Sequence, residues 1–253
     1  MHATIVVPCF DEARRLRPEA FEAFAARVPG VAFLFVDDGS RDGTRERLAD
    51  LVRRDPERFA LLDLPENRGK GEAVRAGIRA ARPDAGLLGY WDADLSTPLD
   101  EIPRFAAELE AHPRCDLVLG SRVLLLGRNL ERSALRHYAG RVFATCASLA
   151  LGLAVYDTQC GAKLFRDTPE MRGLFAAPFL SRWCFDVELI ARLAAARRAR
   201  GGTPAAEAIR ELPLRTWRDV PGSKVGALDL PRALVDLWRI RRRYGGASHP
   251  GAG

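Results

Sequence analysis

Short apolar runs and amphipathic stretches alternate along the first half of the chain. Ala3 to Pro8, Ala32 to Val36, Phe59 to Leu64, Leu87 to Trp91 and Asp116 to Gly120 are brief, mostly apolar, and bounded by charged or turn-forming residues. That is the pattern of buried strands. Between them, segments from about Pro18 to Val28, Thr44 to Arg54, Glu72 to Ala81 and Asp100 to Ala111 space their apolar residues as helices do, with Phe21 and Phe24 on one face of the first. Strands alternating with helices of this length predict βαβ units. The expected fold class is therefore α/β, a mostly parallel sheet with helices on both faces.

The ends of these strands carry the chemistry. Leu87 to Trp91 ends in Asp92-Ala93-Asp94, two carboxylates one residue apart. In open α/β sheets the carboxyl ends of the strands line the ligand crevice. Neighbouring carboxylates repel, and a cation between them relieves the repulsion. Oxygen-only ligands favour Mg²⁺ or Mn²⁺, completed by phosphate and water; a strand-to-turn junction with solvated aspartates is the structural alternative. The second strand closes on Asp37-Asp38-Gly39-Ser40, where one carboxylate can accept from a base or ribose while the other orients the loop. With Asp42-Gly43 close behind, the same residues also make good turn chemistry. After the third strand, Asn67-Arg68-Gly69-Lys70-Gly71 forms a basic loop ahead of a helix N-terminus, a place suited to phosphate. It is not a Walker A loop, and no G-x-G-x-x-G follows the first strand, which argues against a dinucleotide cofactor.

Composition narrows the partners. The chain of 253 residues carries a net charge of +6 with a pI near 9.4, which suits phosphate-rich ligands or an anionic membrane face. No nucleic-acid-binding module is recognisable, so nucleic acid is not an expected partner, and no feature specifies an oligomeric state. Cys9, Cys115, Cys146, Cys160 and Cys184 are scattered and odd in number, without a C-x-x-C pair. A reduced, cytoplasmic protein is the expectation, with no signal peptide and no apolar run of about 18 residues to span a bilayer. Val142 to Val155 is uncharged and follows the basic Arg132, Arg136 and Arg141; it reads as a core helix or an interfacial one. Near the C-terminus, Leu230, Leu234, Leu237 and Trp238 share one helical face and Arg232, Asp236, Arg239 and Arg243 another. This amphipathic helix either packs on the rest of the chain or attaches peripherally to the cytoplasmic membrane face.

Seven stretches in order resemble a known family: Val7-Pro8-Cys9-Phe10-Asp11-Glu12, Val36-Asp37-Asp38-Gly39-Ser40, Asn67 to Gly71, Asp92-Ala93-Asp94 and Gly120-Ser121-Arg122, followed by Asp157 to Phe165 and Arg182 to Leu189. Pro221-Gly222-Ser223-Lys224-Val225 extends the likeness. Together they are similar to glycosyltransferase family 2, of the GT-A nucleotide-diphospho-sugar transferase fold. The last three stretches look most like the dolichyl-phosphate β-glucosyltransferases and their prokaryotic polyprenyl-phosphate relatives. The resemblance implies a metal-dependent inverting glycosyltransferase, with glucose moving from UDP-glucose to a polyprenyl or dolichyl phosphate as the specific expectation. GDP-mannose or a soluble hydroxyl acceptor is the alternative, and a nucleotide-sugar-binding scaffold without turnover is the non-enzymatic one. Residues 1–225 would form the transferase, with 1–122 holding the nucleotide sugar and 123–225 the acceptor. Residues 226–244 would be the basic helix and 245–253 a flexible tail.

Carried over residue by residue, the resemblance places Pro8, Asp11, Asp37 and Asp38 around the nucleoside. It puts Asp92 near the ribose and metal, and Asp94 on a Mg²⁺ or Mn²⁺ bridging the diphosphate. Arg122 and Lys70 would contact phosphate, where charge develops as the sugar bond breaks. Asp157, Gln159 and Lys163 would line the sugar or acceptor pocket. Asp186 matches a family carboxylate that acts as a base toward a hydroxyl acceptor and only orients an acceptor that is already an anionic phosphate. Its structural alternative is a first-turn helix acid, since Phe185 to Arg198 reads as a helix.

Overall fold

In the computed structural model, four strands run parallel at the start of the chain: β1 (Ala3–Cys9), β2 (Val31–Asp37), β3 (Phe59–Asp63) and β4 (Leu87–Trp91). The structure describes residues 1–83, 86–123, 129–131, 134–202, 204–218, 220 and 229–245; for 129–131, 134–139 and 229–231 it describes the backbone only. The Pro221 to Val225 stretch and residues 246–253 of the tail lie outside the described residues.

The strands belong to a seven-stranded sheet of order β3-β2-β1-β4-β7-β5-β8. β5 is Leu117–Ser121, β7 is Ala162–Arg166 and β8 is Ile209–Pro213. A two-stranded ribbon joins β6 (Asn129–Glu131) to β9 (Thr216–Arg218). The chain moves outward from β1 through β2 to β3, then crosses to the other side of β1 with β4. The crevice beyond β1 and β4 is thus the switch point of the sheet, and both strands end there.

Alternation along each strand sends side chains to two helical layers. Ile5, Val7, Phe33, Phe35 and Trp91 share a core with Phe21 and Phe24 of α1 (Pro18–Arg27), Leu48 and Leu51 of α2 (Thr44–Arg54), and Phe105 and Leu109 of α4 (Ile102–Ala111). Phe21 meets Phe33 and Phe35 edge-on, with ring centroids 5.2 and 5.0 Å apart. Val6, Val36, Leu88 and Tyr90 point the other way, into a core with Val74 and Ile78 of α3 (Lys70–Ala80) and Leu189, Ile190 and Leu193 of α7 (Phe185–Arg200). Helices thus cover both faces, as the sequence pattern predicts.

The apolar pattern does not reveal the direction of β7. This strand lies between β4 and β5 and runs antiparallel to both, while β8 pairs with β5 in parallel at the edge. The uncharged segment from Val142 belongs to a helix that starts earlier, α5 (Ala134–Leu151). A third core joins Phe143 and Ala147 of α5, Val187 and Ala191 of α7, and Ala233, Leu237 and Ile240 of α9 (Asp229–Tyr244). The docked stripe of α9 is therefore Ala233, Leu237, Ile240 and Tyr244; of the apolar face expected from the sequence, Leu237 is buried there, Leu234 and Trp238 are exposed, and the Leu230 side chain lies outside the described residues. Short α6 (Pro169–Gly173) and α8 (Ala205–Ala208), with one turn of 3-10 helix at Leu99–Glu101, complete the described elements.

Candidate active site

β4 delivers its acidic pair into a tight turn. Asp92 is held by its backbone, whose N–H donates to the Gly161 carbonyl at 3.0 Å, and Leu95 N–H closes the turn on Asp92 O at 3.2 Å. Leu95 adopts φ +54°, a conformation that costs energy for a branched side chain and is characteristic of functional turns. Asp94 accepts from the backbone N–H and hydroxyl of Ser96 at 3.0 and 2.7 Å. Burial and the adjacent Asp92 charge raise the Asp94 pKa above the usual carboxylate range.

A cation already answers that repulsion. Lys70, the first residue of α3, reaches across the crevice and places Nζ 2.5 Å from Asp92 Oδ1. Burial opposes its charge, yet the carboxylates of Asp92, Asp186 and Asp94 outweigh that cost and raise its pKa. The donor set also bears on a divalent ion. Among the described residues no cluster of three or more His, Cys, Asp or Glu side chains could hold a metal. Two carboxylates are nonetheless what Mg²⁺ commonly takes from protein when substrate phosphates complete its shell. Asp92 and Asp94 fit such a half-site.

The turns after β1, β2 and β3 are tied together. Asp38 N–H donates to Cys9 O at 2.8 Å, joining the ends of β2 and β1. The Asp38 carboxylate accepts from the N–H groups of Arg68 and Gly69, both at 2.8 Å, and so shapes the basic loop. Gly69 has φ +93°, and a Cβ there would lie 2.7 Å from Arg182 Nε, so only glycine suits this bend. Asp37 closes its own turn through the Ser40 hydroxyl. Both aspartates are buried, which raises their pKa values. Both carboxylates therefore orient loops, Asp37 its own turn and Asp38 the one after β3. Asp11 is left-handed, φ +49°, which aspartate tolerates better than most residues; its carboxylate accepts from Arg41 N–H at 2.9 Å and its own N–H donates to the Ser40 hydroxyl at 3.0 Å. Pro8, half-buried near the end of β1, stands at the same edge of the sheet.

All three expected pocket residues are engaged by other protein groups. Lys163 is wholly enclosed on β7, so it does not line a pocket. Its ammonium lies 2.5 Å from Asp186 Oδ1 and donates to Cys160 O at 2.7 Å. The Tyr90 hydroxyl donates to the same Asp186 oxygen. Burial and the Asp186 charge push the Tyr90 pKa well up, so it remains a neutral donor. Asp157 and Arg122 form a fork, Nε to Oδ2 at 2.6 Å and a terminal nitrogen to Oδ1 at 2.8 Å, with the guanidinium 5.5 Å from the Trp217 ring centroid. Burial resists the Asp157 charge, but Arg122 prevails and holds its pKa at about 2. Gln159 donates its side-chain amide to Trp183 O at 3.4 Å.

Sequence reasoning assigned no role to Gly161 or Tyr90. A Cβ on Gly161 would fall 1.8 Å from Asp92 Oδ2, so β7 approaches the acidic turn as closely as backbone permits. The buried hydroxyls of Ser121 and Thr158 have no hydrogen-bond partner among the described residues. A cavity of about 310 Å³ lined by Arg68, Glu72, Arg75, Phe179, Ser181 and Arg182 borders the basic loop but includes neither Asp92 nor Asp94.

The sheet that presents this acidic strand end at its switch point has the fold of the GT-A glycosyltransferases. Residues 4–170 match Glycosyl transferase family 2, and the chain belongs to that family. A dolichyl-phosphate beta-glucosyltransferase of Trichomonas vaginalis is 31% identical over 252 residues, covering 95% of this chain and 71% of the relative. The enzyme of the same name from Saccharomyces cerevisiae is 28% identical, with 95% and 74% covered. Among solved structures, glucosyl-3-phosphoglycerate synthase from Mycobacterium tuberculosis, in complex with Mn²⁺, UDP-glucose and phosphoglyceric acid, aligns with a TM-score of 0.67 at 17% identity. That alignment covers 100% of this chain and 82% of the other and bears on fold alone. No helix among the described residues is long and apolar enough to cross a membrane.

Proposed function

We propose that the chain transfers glucose from UDP-glucose to a polyprenyl or dolichyl phosphate with inversion at the anomeric carbon. The observation that carries the acceptor assignment is the Lys163–Asp186–Tyr90 cluster. One Asp186 oxygen is shared by a buried ammonium and a phenol hydroxyl, so that oxygen is engaged within the protein rather than open to take a proton from an acceptor. An acceptor phosphate needs no base, because its oxygen is already anionic. Asp186 then serves to orient it. The names of the relatives support the same donor sugar and lipid-phosphate acceptor.

In this reading an acceptor phosphate oxygen attacks the anomeric carbon from the face opposite the diphosphate. The new carbon–oxygen bond forms as the bond to UDP breaks, and its electron pair leaves on the diphosphate. Pro8, Asp11 and Asp37 surround the nucleoside, while Asp38 fixes the loop that carries Lys70. Asp92 and Asp94 would hold Mg²⁺ or Mn²⁺, which when bound offsets diphosphate charge. Lys70 adds a second positive charge on the leaving-group side. Arg122, paired with Asp157 and next in sequence to the buried Ser121, would contact phosphate.

Calorimetric titration with UDP-glucose and GDP-mannose, each with Mn²⁺ and with chelator, tests the donor half. Metal-dependent binding of UDP-glucose is expected, and Asp94→Asn should remove it. Binding of GDP-mannose alone would overturn the donor assignment. Transfer of labelled glucose to a short polyprenyl phosphate, with the anomeric configuration read by NMR, tests the acceptor and inversion together.

A further inference from the structure

The docking of α9 leaves an apolar surface uncovered. With Ala233, Leu237 and Ile240 turned inward, Leu234, Val235 and Trp238 face outward, and Val142 and Leu149 do the same on neighbouring α5. Each of the five is between 46% and 68% exposed. The two strips adjoin. At 100° per residue Arg241 falls beside Leu234 on the helix, and its guanidinium donates to Leu149 O at 3.4 Å. Arg242 lies 5.4 Å from the Trp238 ring centroid, and Arg239 flanks Val235. The one acidic residue of this part of α9, Asp236, is engaged by the Ser181 hydroxyl at 2.6 Å and by Arg239.

We infer that this α5–α9 face docks on the surface of an anionic lipid bilayer. An outward tryptophan set among aliphatic residues and ringed by arginines matches a helix lying in the membrane interface, with the ring at headgroup depth and the guanidiniums on lipid phosphates. A second copy of the chain fits poorly, because a two-fold contact would oppose arginine to arginine. The face is also wired to the candidate active site. Ser181, which holds Asp236, accepts from the N–H groups of Trp183 and Cys184 at 3.2 and 2.8 Å in the turn that begins α7 and leads to Asp186. Trp183 in turn packs on Phe143 of α5. Docking would bring the turn that leads to Asp186, and with it the proposed acceptor site, towards the bilayer. Only this last point rests on the proposed acceptor; the surface itself does not.

Vesicle flotation tests the inference without substrate. The protein is expected to float with vesicles of equal parts phosphatidylglycerol and phosphatidylcholine, and not with phosphatidylcholine alone. Trp238 emission should shift to the blue on binding, a change absent in Trp238→Phe. The triple variant L234S/V235S/W238S should lose at least about 10-fold in partitioning, and R239Q/R241Q/R242Q about 100-fold, each arginine near an anionic surface being worth roughly a factor of five. All substituted side chains point outward, so unchanged circular dichroism and UDP-glucose titration serve as controls. Failure of the folded protein to float at low salt, or flotation that ignores both triple variants, overturns the inference. So does concentration-dependent dimerisation abolished by L234S/V235S/W238S. Flotation without UDP-glucose binding would leave this surface standing and refute the donor assignment instead.

Discussion

Replacing Lys163 with methionine isolates the pair on which the acceptor argument turns. Methionine approximates the volume of the lysine stem, so packing changes little. What disappears is the ammonium that meets Asp186 Oδ1 at 2.5 Å in a site with no exposed lysine surface. Removing one member of a buried pair leaves the other charge uncompensated and costs roughly 3–5 kcal/mol. That is a large part of the 5–15 kcal/mol that typically holds a domain folded. At about 2–4 °C per kcal/mol for a chain near this size, the melting temperature should fall by on the order of 10 °C. Tyr90 remains as a neutral donor and cannot replace the charge. Adding Asp186→Asn removes the stranded carboxylate, so the double variant should recover at least about half of the loss, a strongly non-additive result. Urea and thermal unfolding of wild type, both single variants and the double variant complete the cycle. A loss under about 1 kcal/mol for Lys163→Met, or a double variant as unstable as the sum of its parts, would refute the pairing.

Gly161→Ala should leave the fold intact while weakening UDP-glucose binding by at least about 10-fold, some 1.4 kcal/mol, because its Cβ would displace the Asp92 carboxylate; calorimetry reads the change directly. Lys70→Met should lower kcat by about 10²–10³, the usual loss on deleting one charge-stabilising donor, with little change in melting temperature, measured by single-turnover transfer. Acid unfolding should report Asp157. Its folded pKa, near 2, lies below the unfolded value of about 3.9, so its stabilisation is full above the unfolded value and disappears as pH falls through the folded one. The shift corresponds to about 2.5 kcal/mol, and Arg122→Gln should abolish that portion of the pH dependence in urea titrations run from neutral pH downward.

The strands that reach the crevice were legible because β1 to β5 are brief apolar runs that end in charged or turn-forming residues. Alternation then assigned helices to both faces, and the polar strand ends marked Asp37, Asp38, Asp92 and Asp94. Strand direction has no such signature. Ala162 to Arg166 looks the same parallel or antiparallel, so β7's place between β4 and β5 was hidden, and with it the closeness of Gly161 to Asp92. Lys163 misled for a related reason: lysine rarely goes fully inside, and only the partner contributed by α7 makes its burial tolerable. In α9 two apolar stripes compete, and periodicity cannot say which one the neighbours cover. The smaller one, with Ala233, lets α9 approach α5 and α7 closely. Arg122 and Asp157 were each recognisable as charged, but their mutual fork depends on the loop before β7 reaching the end of β5.

The position of β7 also bears on modularity. A fragment ending at Arg122 would contain every residue expected to hold the nucleotide sugar, yet it would lack the strand that pairs with β4 along its whole length. The ladder from Leu87 to Trp91 would become an unpaired apolar edge, a template for aggregation. β5 would lose its link to the rest of the sheet, since it meets β4 only through β7. The halves expected to hold donor and acceptor, residues 1–122 and 123–225, would therefore be successive in sequence but interleaved in the sheet. Exchanging acceptor halves between relatives to change specificity would have to carry β7 with its own β4, so the practical unit of recombination is the whole sheet.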